Sequence, residues 1–172
     1  MNQIREKVTW RNRRICRDEV MKDKVSLPYV NATIREVQRI AAVAAVATPH
    51  ALLEDTYIDC KVVPKHTVIL CHLMSVLYDP TERQEPEKFR PERFLGEKGE
   101  MIKPEVFCPF SMGPRTCIGQ QLASNEVFLF FTSFLQRFNC TKVNKDDSSL
   151  TNGERTGETR QPDPFQMCLK PI

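Results

Sequence analysis

The stretch "FSMGPRTCIG", residues 110–119, sets a cysteine between an arginine and a glycine, just before a strongly apolar segment. Each residue type there has a chemical use. Gly113 lets the backbone turn sharply and approach a ligand closely. Arg115 offers a fixed charge and a forked donor set for a carboxylate. Gly119 permits tight packing where the next helix begins, and the amides and dipole of that helix favour a thiolate at Cys117. Phe110 is placed to shield the sulfur from water. A soft thiolate, a cation and an aromatic lid together point to an iron porphyrin, with the arginine on a propionate.

Blander readings compete. A free cysteine often behaves as a small buried hydrophobe. Cys117 with His50 would make a cysteine hydrolase, but nothing in sequence supplies an orienting acid or an oxyanion hole. Cys60, Cys71, His66 and His72 would make a zinc module, but at a spacing that matches no usual zinc pattern.

Positioning comes from upstream. In "SLPYVNATIREVQRIAAVAA" the apolar residues Leu27, Val30, Ile34, Val37, Ala41 and Ala44 recur at steps of three and four, which predicts one helical face. Ser26 is the expected N-cap, Pro28 is tolerated in the first turn, and Pro49 ends the run. Glu36 and Arg39 are neighbours on that helix surface. Arg93, in "PERF", lies in a stretch with six prolines between Pro80 and Pro114. Proline removes backbone donors there and excludes a long regular element, yet the stretch is apolar enough to pack. "YIDCKVV" and "TVILCHL" flank "PKH" and read as a two-stranded hairpin. "QQLASNEVFLFFTSFLQRF" reads as an interior helix, and "PFQMCLKP" as a closing strand.

Composition narrows the class. The chain has 172 residues, 41% hydrophobic and 27% charged, with net charge +3. Its basic residues are scattered, so nucleic acid is not an expected partner. The seven cysteines form no CxxC pair and include several in apolar stretches, which fits a reducing compartment better than a disulfide framework. "IAAVAAVA" and "VFLFF" fall short of the ~20 apolar residues that span a bilayer.

The ten residues 110–119 resemble the haem-binding loop of the cytochrome P-450 superfamily, whose pattern is met at Phe110, Gly113, Arg115, Cys117 and Gly119. "EVQR" is similar to the Glu-x-x-Arg pair of that family's K helix, and "PERF" supplies its partner arginine. "LPYVNATIREVQR" and "FLFF" look most like the animal microsomal family 2 members. The resemblance implies a mainly α fold with small β (α+β), as a partial P-450 domain. Its parts would be J-region helices over 1–25, the K helix over 26–47, a hairpin over 56–72 and a meander over 79–109. The haem loop would follow at 110–119, the L helix at 119–138 and a C-terminal β region at 139–172.

The resemblance implies a haem-thiolate monooxygenase that inserts one atom of dioxygen into xenobiotics, fatty acids or steroids. Cys117 would be the proximal iron ligand, and Arg115 and His50 would hold propionates. Phe110, Gly113 and Gly119 would shape the thiolate's surroundings, and Glu36, Arg39 and Arg93 would form a structural trio. Segment 47–53, and residues near 151–159, would line the substrate pocket, although Glu154, Arg155 and Glu158 are unusual there. Electrons would come from NADPH–cytochrome P-450 reductase; Arg90, Lys98 and Lys103 read first as plain solvent-facing charge and second as docking positions for it. The location implied is the cytosolic face of the endoplasmic reticulum membrane, through an anchor that these residues do not contain. The family's central oxygen-activating helix is likewise not among them. The expectation is therefore a C-terminal part, from a fragment, splice product or partial gene model, inactive by itself. The alternative is a non-catalytic remnant with only the proximal half of the haem site. In a monomer without haem the apolar faces of 27–44 and 119–137 should be unusually exposed. His66, and often Cys60, stand where the family has glycine, which predicts a reshaped hairpin.

Overall fold

Helix α1, Pro28–Ala41, starts with proline at its first position, where a missing N–H costs nothing. The computed structural model describes residues 21–102, 104, 106–143, 154–155 and 159–172; the expected helix over 1–20 lies outside them. A 3-10 turn, Lys22–Ser26, leads into α1. Ser26 is not its cap. Its Oγ donates to the Asp23 carbonyl at 2.8 Å, and Leu27 is the capping residue, with no side-chain cap. Asn31 instead ties the entry together, its amide donating to the Lys24 and Leu27 carbonyls at 2.6 and 2.9 Å.

The buried stripe of α1 begins as the sequence predicts. Leu27, Val30 and Ile34 pack with Tyr29 and Phe128, the last from helix α3, Gln120–Arg137. Phe128 is wholly buried, a gain of about 1.5–3 kcal/mol by area alone. Past Ile34 the stripe leaves the aliphatic row. Glu36 and Arg39 are fully buried, whereas Val37 is 47% exposed.

Two elements differ from expectation. The helix was expected to reach residue 47 but stops at Ala41, with Ala42 left-handed at φ 38°. Its last carbonyls are taken from elsewhere in the chain. Arg160 Nη1 donates to Ala41 at 3.0 Å, Tyr78 Oη to Ile40 at 2.7 Å, and the Arg160 amide to Val43 at 2.8 Å. The expected pairing of "YIDCKVV" with "TVILCHL" is also absent. Strand β2, Thr56–Ile58, pairs antiparallel with β3, Lys61–Val63, so the first segment folds back on itself at Asp59–Cys60. The second, β4, Val68–Ile69, pairs with β1, His50–Ala51.

Around helix α2, Leu73–Leu77, a second core gathers Ala42, Ala47, Leu73, Leu77 and Cys108. The meander is irregular except for a 3-10 turn at Pro91–Phe94 and a bridge from Leu95 to Met101. Strand β5, Phe138–Lys142, follows α3 directly and pairs with the expected closing strand, β8, Met167–Pro171; β6, Glu154–Arg155, pairs with β7, Gln161–Pro162. Helices with small antiparallel sheets make this the α+β partial domain anticipated. The apolar face of α1 is largely covered, but α3 leaves Leu122 65% and Phe130 76% exposed. Among the described residues no helix is long and apolar enough to cross a membrane.

Candidate functional site

Residues 110–119 form a tight reversal closed by their own backbone. The Cys117 amide donates to the Phe110 carbonyl at 2.9 Å and the Ser111 amide to Cys108 at 3.1 Å. Ser111 and Gly113 both take positive φ, 66° and 72°. At Gly113 glycine removes the steric cost of that conformation, and nothing lies within 4 Å of where a Cβ would stand. Gly113–Arg115 make one 3-10 turn, and Gly119 then caps α3. Thr116 Oγ1 braces the loop, donating to the Phe110 carbonyl at 3.2 Å.

Cys117 is exposed rather than turned into either core. A Cβ on Gly119 would sit 3.8 Å from its Sγ, so glycine keeps that flank of the sulfur uncrowded. Arg115 is exposed and makes no side-chain hydrogen bond among the described residues. Phe110 is half-buried.

The predicted trio is assembled. Arg39 Nε and Nη2 donate to Glu36 Oε2 and Oε1 at 2.8 and 3.0 Å, a bidentate fork. Arg93 Nε reaches Oε1 at 3.1 Å, and the Arg90 amide donates to the same oxygen at 2.8 Å. The rest of Arg93 holds the meander by its carbonyls, Nη1 to Gln84 and Nη2 to Glu85 and Lys88. Arg39 Nη1 donates to Leu77 at 3.2 Å, and its guanidinium lies 5.3 Å from the Tyr78 ring centre.

A packed route joins trio and loop. Phe94, next to Arg93, meets Phe107 edge-on at 5.2 Å. Cys108, in the second core, receives the Ser111 amide. Burial pushes the Cys108 thiol pKa up, so it stays protonated.

Other predicted residues stand apart. His50 opens β1 opposite Ile69, half-buried, with no side-chain hydrogen bond to the 110–119 loop. The zinc set does not converge: His72 Nδ1 accepts the Ser75 amide at 3.1 Å as the α2 cap, and among the described residues no group of three or more His, Cys, Asp or Glu is placed for a metal. His66 lies in a turn at φ 66°. Of the proposed pocket loop, 151–153 and 156–158 lie outside the described residues, as does Lys103 of the docking set. Sequence reasoning missed Arg83, which is 8% exposed beside the trio. Its only signal was a cation in a stretch otherwise expected to pack.

The 110–119 loop thus presents an exposed thiol just before α3, while the buried carboxylate–arginine trio ties α1 to the meander. The family model "Cytochrome P450" matches residues 3–169. The chain is 40% identical over 151 residues to cytochrome P450 2C23 of Rattus norvegicus, covering 88% of this chain and 31% of that protein. It is 43% identical over 147 residues to cytochrome P450 2U1 of Homo sapiens, 86% of this chain and 27% of that one. With cytochrome P450 2K4 of Oncorhynchus mykiss it shares 41% over 155 residues, 88% and 30%. The chain belongs to the cytochrome P450 family, whose cofactor is haem, and it spans less than a third of the length of these relatives.

Proposed function

We propose that this chain carries the proximal half of the haem site of a P450 monooxygenase, with Cys117 as the iron ligand. The observation that carries the reading is an exposed Cys117 thiol on a loop whose open side, at Gly113, would admit a flat ring. The donor set suits that group: soft sulfur for iron, and at Arg115 a guanidinium with no side-chain hydrogen bond among the described residues. When bound, haem supplies the activation of dioxygen that monooxygenation needs. The protein's own residues orient and protect. Phe110 and Thr116 fix the loop by their hydrogen bonds, and Gly113 and Gly119 leave space around the sulfur. Arg115, and His50 less directly, would neutralise propionates. Glu36, Arg39 and Arg93 hold the loop's support in register.

The substrates in this reading are small apolar molecules such as xenobiotics, fatty acids or steroids. Electrons come from NADPH through cytochrome P450 reductase, and the location is the cytosolic face of the endoplasmic reticulum membrane. Family membership and the likeness to family 2 proteins support these finer assignments.

Haem titration tests the first claim. The wild-type chain should bind with one sharp Soret change, Cys117→Ala should lose it, and Arg115→Leu should weaken it. Equal titration of all three would refute the assignment. Substrate turnover with added reductase then separates monooxygenase from remnant.

A further inference from the structure

Beside the trio lies a recess of about 390 Å³, lined by Glu82, Arg83, Arg90, Arg93 and Phe94 among others. Its lining is rich in arginine. Among the described residues Glu36 is the one buried carboxylate beside it, and Arg39 and Arg93 already share it. Arg83 adds a third guanidinium that is 8% exposed. Among the described residues its only side-chain hydrogen bond runs from Nη1 to the Val76 carbonyl at 3.0 Å. Nε and Nη2 have no acceptor among the described residues.

Arg93 commits four of its five N–H donors to Glu36 and three carbonyls, so it contributes mainly charge. Arg90 is exposed and lines the recess from the solvent side. Glu82 also lines the recess, but it is exposed and makes no hydrogen bond to Arg83. The Nε–H and Nη2–H groups of Arg83 are therefore available to an acceptor entering the recess, and a charged one would bond to them most strongly. Burial, then the like charges of Arg39 and Arg93, pulls the Arg83 pKa below its ordinary value, against a smaller opposing pull from Glu82.

We propose that the Arg83–Arg90–Arg93 recess binds a small tetrahedral oxyanion, a phosphate or phosphomonoester, with Arg83 as its principal donor. The forked guanidinium presents two N–H groups to two oxygens of such an ion. Arg90 closes over it from the solvent side. Occupancy would join the anion to the same cluster that supports the 110–119 loop, so it would stabilise the meander.

The test is a thermal melt of the full chain against inorganic phosphate, with sodium chloride at matched ionic strength as control. Wild-type protein should show a Tm rise that saturates with phosphate and is absent with chloride. Arg83→Met should weaken the apparent affinity about tenfold or more. A rise equal in chloride, no saturation, or an unchanged response in Arg83→Met would overturn the site. Should Arg83→Met fail to fold, Glu82→Gln decides. Loss of this exposed carboxylate should tighten phosphate binding about two- to fivefold, and unaltered affinity would overturn the proposal. Phosphoserine set against free phosphate in the same melts distinguishes a phosphomonoester from the inorganic ion.

Discussion

One oxygen, Glu36 Oε1, accepts from both Arg39 and Arg93, at 3.0 and 3.1 Å, although Arg93 lies 57 residues from Glu36. That shared atom is where the rigid helix meets the proline-rich meander. It is also fully buried, so its satisfaction is not optional. Removing the carboxylate would leave two guanidinium groups without their counter-charge. Glu36→Gln should destabilise the chain by about 3–5 kcal/mol in denaturant unfolding, and a loss under 1 kcal/mol would show that the trio is not a structural lock.

Gly113 should tolerate no side chain for a conformational reason rather than a steric one. Its φ is 72° and a Cβ there would meet open space. Gly113→Ala should therefore cost about 1–2 kcal/mol in thermal unfolding, from the left-handed backbone alone. The new methyl would also occupy the side offered to a ring, so haem uptake should fall further than stability. Equal stability with undiminished uptake would contradict this.

The Asp59–Cys60 turn and His66 should gain from glycine. All three take positive φ, 48°, 60° and 66°. The His66 amide donates to Leu52 at 2.9 Å, a bond that glycine keeps. Cys60→Gly and His66→Gly should each raise stability by up to about 1 kcal/mol, net of the extra unfolded-state entropy. A lowered Tm in both would mean that these turns are not under backbone strain.

The cysteines should divide by environment. Cys60, Cys71, Cys117 and Cys168 are exposed, whereas Cys108 is buried and its pKa raised. Brief iodoacetamide treatment near pH 8, read by peptide mass spectrometry, should label the first four and spare Cys108. As pH climbs through the ordinary thiol range, the unfolded chain gives up the Cys108 proton while the native one keeps it. Stability from this group is thus complete below that range and declines above it. Cys108→Ala should remove that alkaline decline. Labelling of Cys108 as fast as Cys71 would refute the assignment.

Much of this arrangement was legible from residue types alone. The three-residue spacing of Glu36 and Arg39 predicted their contact, and α3 was expected over 119–138 and runs over 120–137. What escaped was set by distant partners. "IAAVAAVA" contains no local stop, and the carbonyls at the end of α1 are taken by Arg160, some 119 residues on. The misjudged hairpin has a related cause. β-branched residues mark strands but not their partners, and the Asp59–Cys60 turn carries no glycine to advertise it. Val37 was assigned to the buried face because apolar periodicity cannot register a stripe completed by an ion pair.

The most direct test of the central claim is the carbon monoxide difference spectrum of the reduced, haem-reconstituted chain. Ligation by Cys117 predicts a Soret band at the red-shifted position of a thiolate-bound iron, abolished in Cys117→Ala. A band at the position typical of histidine ligation, or one that survives in Cys117→Ala, would contradict it.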